Sequence, residues 1–113
     1  MLKDPRIVNL SFTGSTHVGQ ILLKEAADQV IRCSMELGGN APFIVLSDAN
    51  IDEAVAGALL AKMRNGGAAC TAANRFYVAK EVADEFTEKL TTTMGGLKMA
   101  AGTSPAAQLG ASV

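Results

Sequence analysis

Two side chains in this sequence could carry nucleophilic and acid–base chemistry, and both lie beside glycine-rich segments. Cys70 stands in NGGAACTAANRF, where small neighbours would leave its sulfur accessible, and a thiolate is a strong nucleophile. Glu36 stands in MELGGN at the end of an apolar strand pattern, where burial would suit a carboxylate to general-base work. A cysteine in a tight loop and a glutamate facing solvent at a strand end are the plainer interpretations. From either window alone the plainer one is favoured.

Two further features could bind an anion. The segment TGST precedes a predicted helix, where backbone N–H groups are free, and Gly14 would let an anion approach closely. It matches neither the P-loop nor the GxGxxG pattern, so an ordinary capped turn is the stronger interpretation. Arg64, six residues before Cys70, could hold a substrate carboxylate with its guanidinium. From spacing alone, favourable charge at a helix C-terminus explains Arg64 better.

Other kinds of site and partner have little support. His17 is the only histidine, so a Cys–His hydrolase has one candidate and no motif, and Cys33 lies in an apolar strand pattern as a packed small hydrophobe. Two cysteines and one histidine lack the spacing of a metal site. The 113 residues carry a net charge of −1 with no basic block, which argues against a nucleic-acid partner.

The intracellular setting is also an expectation from sequence. No apolar run approaches the ~18 residues that a membrane-spanning helix requires. The opening MLKDPRIVNL lacks the apolar core of a signal peptide. We therefore expect a cytoplasmic protein without a membrane partner, in which both cysteines are free thiols.

The elements that must position these residues alternate between strand and helix patterns. Strands are predicted at 7–12, 30–37, 41–46 and 75–79, and helices from a Thr16 cap to about Gln29, from an Asn50 cap to about Arg64, and over 80–94. Residues 97–113 show no period and are expected to be coil. The order β-α-β-β-α-β-α predicts an α/β fold.

Three segments occur in one order: FTGST, MELGGNAP, and a cysteine followed closely by NRFYV. Together they resemble the NAD(P)-dependent aldehyde dehydrogenase family, most closely its succinate-semialdehyde dehydrogenase branch, over about Ile7 to Leu97. The 34-residue separation of Glu36 and Cys70 matches that family. The resemblance implies a fragment of the aldehyde dehydrogenase fold. Residues 1–37 would be the end of the Rossmann-like cofactor domain, and residues 38–113 the N-terminal part of the catalytic α/β domain.

The resemblance also implies catalytic and substrate-binding roles. Cys70 would attack an aldehyde to form a thiohemiacetal, and its backbone N–H would contribute to an oxyanion hole. Loss of hydride to the cofactor would leave a thioester, which water activated by Glu36 would hydrolyse. Arg64 would bind the distal carboxylate of a semialdehyde, so the implied partner is a small aldehyde such as succinate semialdehyde.

Four residues would face the cofactor, NAD or NADP, according to the same resemblance. Gly14 and Ser15 match positions that meet its pyrophosphate. Val18 would pack nearby, and Leu37 would lie beside the nicotinamide.

The sequence also departs from the family. Ala68 and Ala69 replace a Gln-x pair before the nucleophile, and Ala72 replaces the second cysteine of the disulfide switch found in some semialdehyde enzymes. Family chains are several times longer, so we expect the isolated chain to lack NAD(P)-dependent turnover. The alternative is a truncated, inactive remnant that acts as a small binding or structural module, with homo-oligomerisation covering its apolar faces.

Overall fold

Residues 1–110 are described by a computed structural model, in which the chain divides into two compact units. The first unit is Met1–Gly39, and the second begins at Asn40. The predicted division after residue 37 falls close to this boundary. The part of the predicted coil beyond residue 110 lies outside the described residues.

The first unit is a strand–helix–strand motif. It consists of β1 (Asn9–Gly14), α1 (Thr16–Ala27) and β2 (Arg32–Leu37). The strands are parallel, and their register runs from Asn9 opposite Arg32 to Gly14 opposite Leu37. Parallel neighbours need a crossover connection, which α1 supplies. The carboxyl ends of both strands therefore lie at one edge of the sheet, beside the start of α1.

The start of α1 differs by one residue from the sequence prediction. Ser15, rather than Thr16, is the N-cap, and its Oγ accepts a hydrogen bond of 3.3 Å from the Val18 N–H. Ser15 has the extended backbone of an N-cap, whereas Thr16 is already helical. The Thr16 hydroxyl instead donates a long hydrogen bond of 3.5 Å to the Gly38 carbonyl.

The end of α1 explains why β2 is shorter than predicted. Val30 has a φ of 54°, its N–H donates to the Ala27 carbonyl, and the Ile31 N–H reaches back to the Ala26 carbonyl. This pair of bonds is the Schellman arrangement, in which the left-handed position normally carries glycine. Val30 and Ile31 favour a strand by propensity, but both belong to the end of α1, so β2 begins at Arg32.

The second unit contains another pair of parallel strands with a helix between them and a helix after them. Its elements are β3 (Ala41–Val45), α2 (Ile51–Met63), β4 (Ala73–Val78) and α3 (Ala83–Gly95), the last preceded by a 3-10 turn at Lys80–Val82. The β3–β4 register shifts between Ala41 and Pro42. Beyond α3, an isolated bridge joins Met99 to Leu109 in the otherwise irregular part of residues 97–110.

The core of the second unit lies between one face of the β3–β4 sheet and the two helices. Its buried members are Val45, Ile51, Val55, Ala58 and Phe86. Phe43 and Phe76, neighbours on the sheet, extend this core with ring centroids 5.6 Å apart. The core holds α2 and β4 in place, and these two elements carry the segment that contains Cys70.

The opposite face of the β3–β4 sheet, called here the outer face, is apolar and exposed. Ile44 is 65% exposed, and Leu46 just beyond β3 and Tyr77 on β4 are also open to solvent. Parallel sheets are usually covered on both faces, so this face is unusual. Within residues 1–110, no helix is both long and apolar enough to cross a membrane.

Candidate nucleophile loop and anion site

Cys70 lies on the segment that joins α2 to β4, residues 64–72, called here the Cys70 loop. Immediately after α2 the backbone turns through left-handed conformations, with φ of 55° at Asn65, 65° at Gly66 and 81° at Gly67. Glycine adopts these angles without a Cβ penalty, and asparagine tolerates them better than most residues. The sequence Asn-Gly-Gly therefore produces an abrupt reversal of the chain at the end of α2.

The cysteine itself occupies a tight turn. The Ala72 N–H donates a hydrogen bond of 2.9 Å to the Ala69 carbonyl, which places Cys70 at the second position of the turn. Its side chain is exposed. Within residues 1–110 the Cys70 N–H has no hydrogen-bond acceptor. An accessible sulfur and a free backbone donor on one residue are the features that attack on a carbonyl requires.

Arg64 lies at the other end of the same loop. It is exposed, and its guanidinium donates a long hydrogen bond of 3.5 Å to the Thr71 hydroxyl, on the residue that follows Cys70. Arg64 is the C-cap of α2, and its backbone N–H donates to the Leu60 carbonyl. The structure therefore brings the arginine side chain to the cysteine turn, in addition to placing its charge at the helix C-terminus.

A polar network that sequence reasoning missed closes the Cys70 loop. The Lys62 ammonium donates to the Asn74 side-chain carbonyl at 2.5 Å, and the Asn74 amide donates to the Asn40 side-chain carbonyl at 3.2 Å. Arg75 donates to the Asn40 backbone carbonyl at 3.1 Å. The sequence signal that could have indicated this network is the pair of asparagines, Asn40 and Asn74, each of which directly precedes a predicted strand.

The start of α1 forms a candidate anion site in the first unit. The N–H groups of Thr16 and His17 have no acceptor within residues 1–110, as expected for the first turn of a helix. A Cβ at Gly14 would lie 2.6 Å from the Phe12 ring, so only glycine lets the ring lie this close to the backbone. Gly14 and Ser15 lie beside these N–H groups, and the phosphate contact that the family resemblance implies for them stays a prediction.

The two apolar candidates of the cofactor site differ in environment. Leu37, at the carboxyl end of β2, packs against α1 so closely that a Cβ at Gly19 would lie 2.7 Å from its side chain. Val18, on the first turns of α1, is 40% exposed. Both lie near the strand end at which Gly14 pairs with Leu37.

Glu36 is exposed, as the favoured interpretation of its window had it, and the partial burial that would suit it to general-base work is not found in the described structure. The reason is the pleat of β2: side chains alternate, and Glu36 lies on the opposite face from the half-buried Met35 and Leu37. Apolar neighbours in sequence therefore do not bury it. Glu36 belongs to the first unit and Cys70 to the second.

A groove of about 550 Å³ lies between α2 and α3, and none of the predicted site residues lines it. Its rim includes Lys89, which donates to Asp52 at 2.6 Å and to Glu85 at 2.8 Å. The hydrogen bonds that Lys89 donates to Asp52 and to Glu85 raise the pKa of its ammonium above the usual value. Both ion pairs are exposed: the pair with Asp52 joins α3 to the start of α2, and the pair with Glu85 lies within α3. Both suit a structural role.

Comparison with known proteins extends over the whole chain. A sequence profile of the aldehyde dehydrogenase family matches residues 1–113. A succinate-semialdehyde dehydrogenase of Paenarthrobacter nicotinovorans is 58% identical over 110 residues, which is 97% of this chain and 24% of that protein. A glutarate-semialdehyde dehydrogenase of Pseudomonas putida is 52% identical over 93 residues, 82% of this chain and 19% of that protein.

Solved structures agree with the sequence comparison. A succinate-semialdehyde dehydrogenase from Burkholderia pseudomallei superposes with a TM-score of 0.86 at 46% identity, covering 96% of this chain and 22% of that chain. The chain thus spans less than a quarter of the length of these relatives, and its α/β fold is a fragment of theirs. On the family profile, the identities and the shared fold, the chain belongs to the aldehyde dehydrogenase family.

Proposed function

We propose that this chain carries the nucleophile and part of the cofactor site of an NAD(P)-dependent aldehyde dehydrogenase that oxidises a small semialdehyde to a carboxylate. The observation that carries the proposal is the Cys70 turn, where an exposed thiol and a free backbone N–H occur on one residue. Family membership supplies the reaction class. The chain spans a minor part of its relatives, so the proposal concerns the site within a complete enzyme.

In the first step, the Cys70 thiolate forms a bond to the aldehyde carbon, and the carbonyl oxygen becomes an oxyanion. The Cys70 N–H is available to donate to that oxygen, which stabilises the charge where it develops. The resulting thiohemiacetal loses hydride and becomes a thioester on Cys70. The position of Cys70 in a turn of small residues leaves room for the substrate carbon to approach the sulfur.

The start of α1 fits the pyrophosphate of a dinucleotide. The free N–H groups of Thr16 and His17 are donors of the kind that a phosphate requires. Ser15 would lie beside the phosphate, and Val18 and Leu37 would supply apolar contacts to the cofactor. When bound, NAD or NADP accepts the hydride. Relatives named as NADP-dependent, such as that of Escherichia coli, support use of a pyridine nucleotide.

Glu36 completes the cycle in this proposal. Its carboxylate would take a proton from water as the water oxygen attacks the thioester carbon, and cleavage of the C–S bond would return the thiolate of Cys70 and release the acid. Exposure of Glu36 at the carboxyl end of β2 keeps its carboxylate within reach of water. The 34-residue separation from Cys70 supports this pairing of roles.

Arg64 would select semialdehydes that end in a carboxylate. Its guanidinium already lies at the Cys70 turn through the bond to Thr71, and a planar guanidinium can bind a carboxylate through two parallel hydrogen bonds. The relatives named for succinate and glutarate semialdehydes support this substrate class.

A chimera tests the proposal directly. Residues 1–110 of this chain would replace the corresponding segment of the Paenarthrobacter nicotinovorans relative, which is 58% identical to it. We expect the chimera to reduce NAD or NADP with succinate semialdehyde, Cys70→Ala to abolish the reaction, and Cys33→Ser to leave it unchanged. Glu36→Gln should give a burst of about one reduced cofactor per site followed by a stall, because the thioester is not hydrolysed. Full steady-state turnover in the Cys70→Ala chimera contradicts the proposal.

The substrate assignment has its own readout in the chimera. Arg64→Met should raise the KM for succinate semialdehyde by about tenfold or more while changing that for an uncharged aldehyde of similar length little. Arg32 is an exposed arginine of the first unit. Arg32→Met is therefore the matched control and should change the KM for neither aldehyde. Equal losses for both aldehydes in Arg64→Met would refute substrate binding by this residue.

A second candidate function rests on the outer face of the β3–β4 sheet. Exposed Ile44, Leu46 and Tyr77 favour self-association of an inactive chain, in which a second copy covers this face. Sedimentation of the isolated chain distinguishes the two. Concentration-dependent dimers that Ile44→Lys dissociates support self-association, and a monomer at all concentrations contradicts it.

A further inference from the structure

We propose that Lys62 is a positioning residue for Cys70: it closes the Cys70 loop through Asn74 and so fixes the turn that presents the thiol. The catalytic role of this positioning rests on the proposed function. The conformational order of the loop, however, can be measured without any turnover.

The bond lies at the two ends of the loop. Lys62 is on the last turn of α2, and Asn74 is the second residue of β4, so one hydrogen bond of 2.5 Å joins the residues that flank the loop. The Lys62 side chain is half-buried, and within residues 1–110 its ammonium has no carboxylate within ion-pair distance. The ammonium is therefore directed to a neutral amide that holds the far end of the loop.

The path of the lysine depends on a glycine of the same loop. At Gly67 a Cβ would lie 3.3 Å from the Lys62 carbonyl oxygen, 3.8 Å from its Cε and 4.0 Å from its Nζ. At Gly66, by contrast, nothing lies within 4 Å of such a Cβ. Gly67, in the middle of the loop, thus lies beside the lysine stem, and Asn74, which accepts from Lys62, lies just beyond the end of the loop.

The network continues past the loop to a fixed point. Asn74 donates to the Asn40 side chain, and Arg75 donates to the Asn40 backbone carbonyl, one residue before β3. Asn40 therefore ties the start of β4 to the start of its parallel neighbour. A loop with both ends joined has fewer open conformations, so the turn around Cys70 is held in place before substrate arrives.

Hydrogen exchange of the 113-residue chain tests this inference. The background is Cys33→Ser, and the readout is exchange over residues 64–72, with the amides of α2 and α3 as the internal reference. Lys62→Met removes the donor and keeps the stem, Asn74→Leu removes the acceptor, and Lys62→Arg retains a cationic donor. Lys80→Met, an exposed lysine of the same unit, is the matched control.

We expect Lys62→Met to speed exchange in residues 64–72 by about three- to tenfold, the range of a single lost hydrogen bond. Asn74→Leu should speed it by at least as much, because it also removes the bond to Asn40. The double variant should exceed the larger single effect by less than twofold, because Asn74→Leu already removes the bond to Lys62 together with the bond to Asn40. Lys62→Arg should stay within about twofold of the parent, and Lys80→Met should match it.

Three results overturn the inference. The first is an exchange rate in Lys62→Met that equals that of the parent. The second is an equal acceleration of exchange across α2 and α3, which would show a general loss of stability. The third is an exchange rate in Lys62→Arg that equals that of Lys62→Met. Because the readout requires neither cofactor nor aldehyde, failure here leaves the proposed dehydrogenase chemistry standing. An inactive chimera likewise leaves the loop result standing.

Discussion

Replacing Val30 by glycine should stabilise the first unit, which is an unusual expectation for removing a branched apolar side chain. Val30 occupies the left-handed position that ends α1, with a φ of 54°. Val30 is 90% exposed, so very little buried apolar surface is lost in Val30→Gly. The hydrogen bonds of the helix terminus are backbone bonds from Val30 and Ile31, and the substitution retains both.

The size of the gain follows from two opposing terms. A left-handed backbone costs a non-glycine residue about 1–2 kcal/mol, and a β-branched side chain lies at the upper end of this range. Glycine offsets about 0.5–1 kcal/mol of this gain, because its unfolded chain has greater conformational freedom. The net expectation for Val30→Gly is a stabilisation of about 1 kcal/mol. Val30→Asn, which tolerates the same conformation, should gain about 0.5–1 kcal/mol.

Native-state hydrogen exchange of the α1 amides measures this effect in the first unit. A gain of about 1 kcal/mol slows exchange about fivefold, since about 1.4 kcal/mol corresponds to tenfold. Val8→Gly is the matched control, because Val8 is also largely exposed but has no positive φ, and it should not slow exchange. Unchanged or faster exchange in both Val30 variants would show that the terminus carries no strain.

Two further predictions concern a helix cap and a local ion pair. Asn50→Ala should destabilise the second unit by about 1 kcal/mol in urea unfolding, because the Asn50 side chain accepts from the N–H groups of Asp52 and Glu53; Asn50→Asp should retain most of the stability. The side-chain hydrogen bond from Arg6, with a second bond from its backbone N–H, lowers the pKa of Asp4 to about 2. The pair therefore stabilises the folded chain above the usual pKa of 3.8, and this stabilisation is lost as the pH falls toward 2. In an NMR titration, Arg6→Ala should return the midpoint of Asp4 to near 3.8.

The α/β order was predictable because apolar periodicity and capping residues agree along most of the chain. Asn50 was correctly predicted as the cap of α2, where a polar residue precedes an acidic first turn. The errors lie where a local hydrogen-bond pattern competes with propensity. Val30 and Ile31 favour a strand but end a helix, and Ser15 takes the cap position predicted for Thr16. Such competition depends on backbone geometry that residue types alone do not determine.

The candidate site was predictable as a set of residues but not as an arrangement. Motif order and spacing carry the resemblance to the family, and that resemblance assigns roles to Cys70, Glu36 and Arg64, which stay predictions. The exposure of Glu36 follows from which face of β2 it occupies, and the network of Lys62 and Asn74 follows from the meeting of a helix end and a strand start. Neither relation is encoded in a short window, because both depend on how separate elements pack.

The outer face of the β3–β4 sheet determines how this chain should behave in concentrated solution. A net charge of −1 provides little repulsion between molecules, while Ile44, Leu46 and Tyr77 present apolar surface to the solvent. Attraction between such surfaces weakens on cooling and strengthens in sulfate or phosphate. The chain should therefore salt out at low concentrations of these anions and stay dispersed longer in the cold.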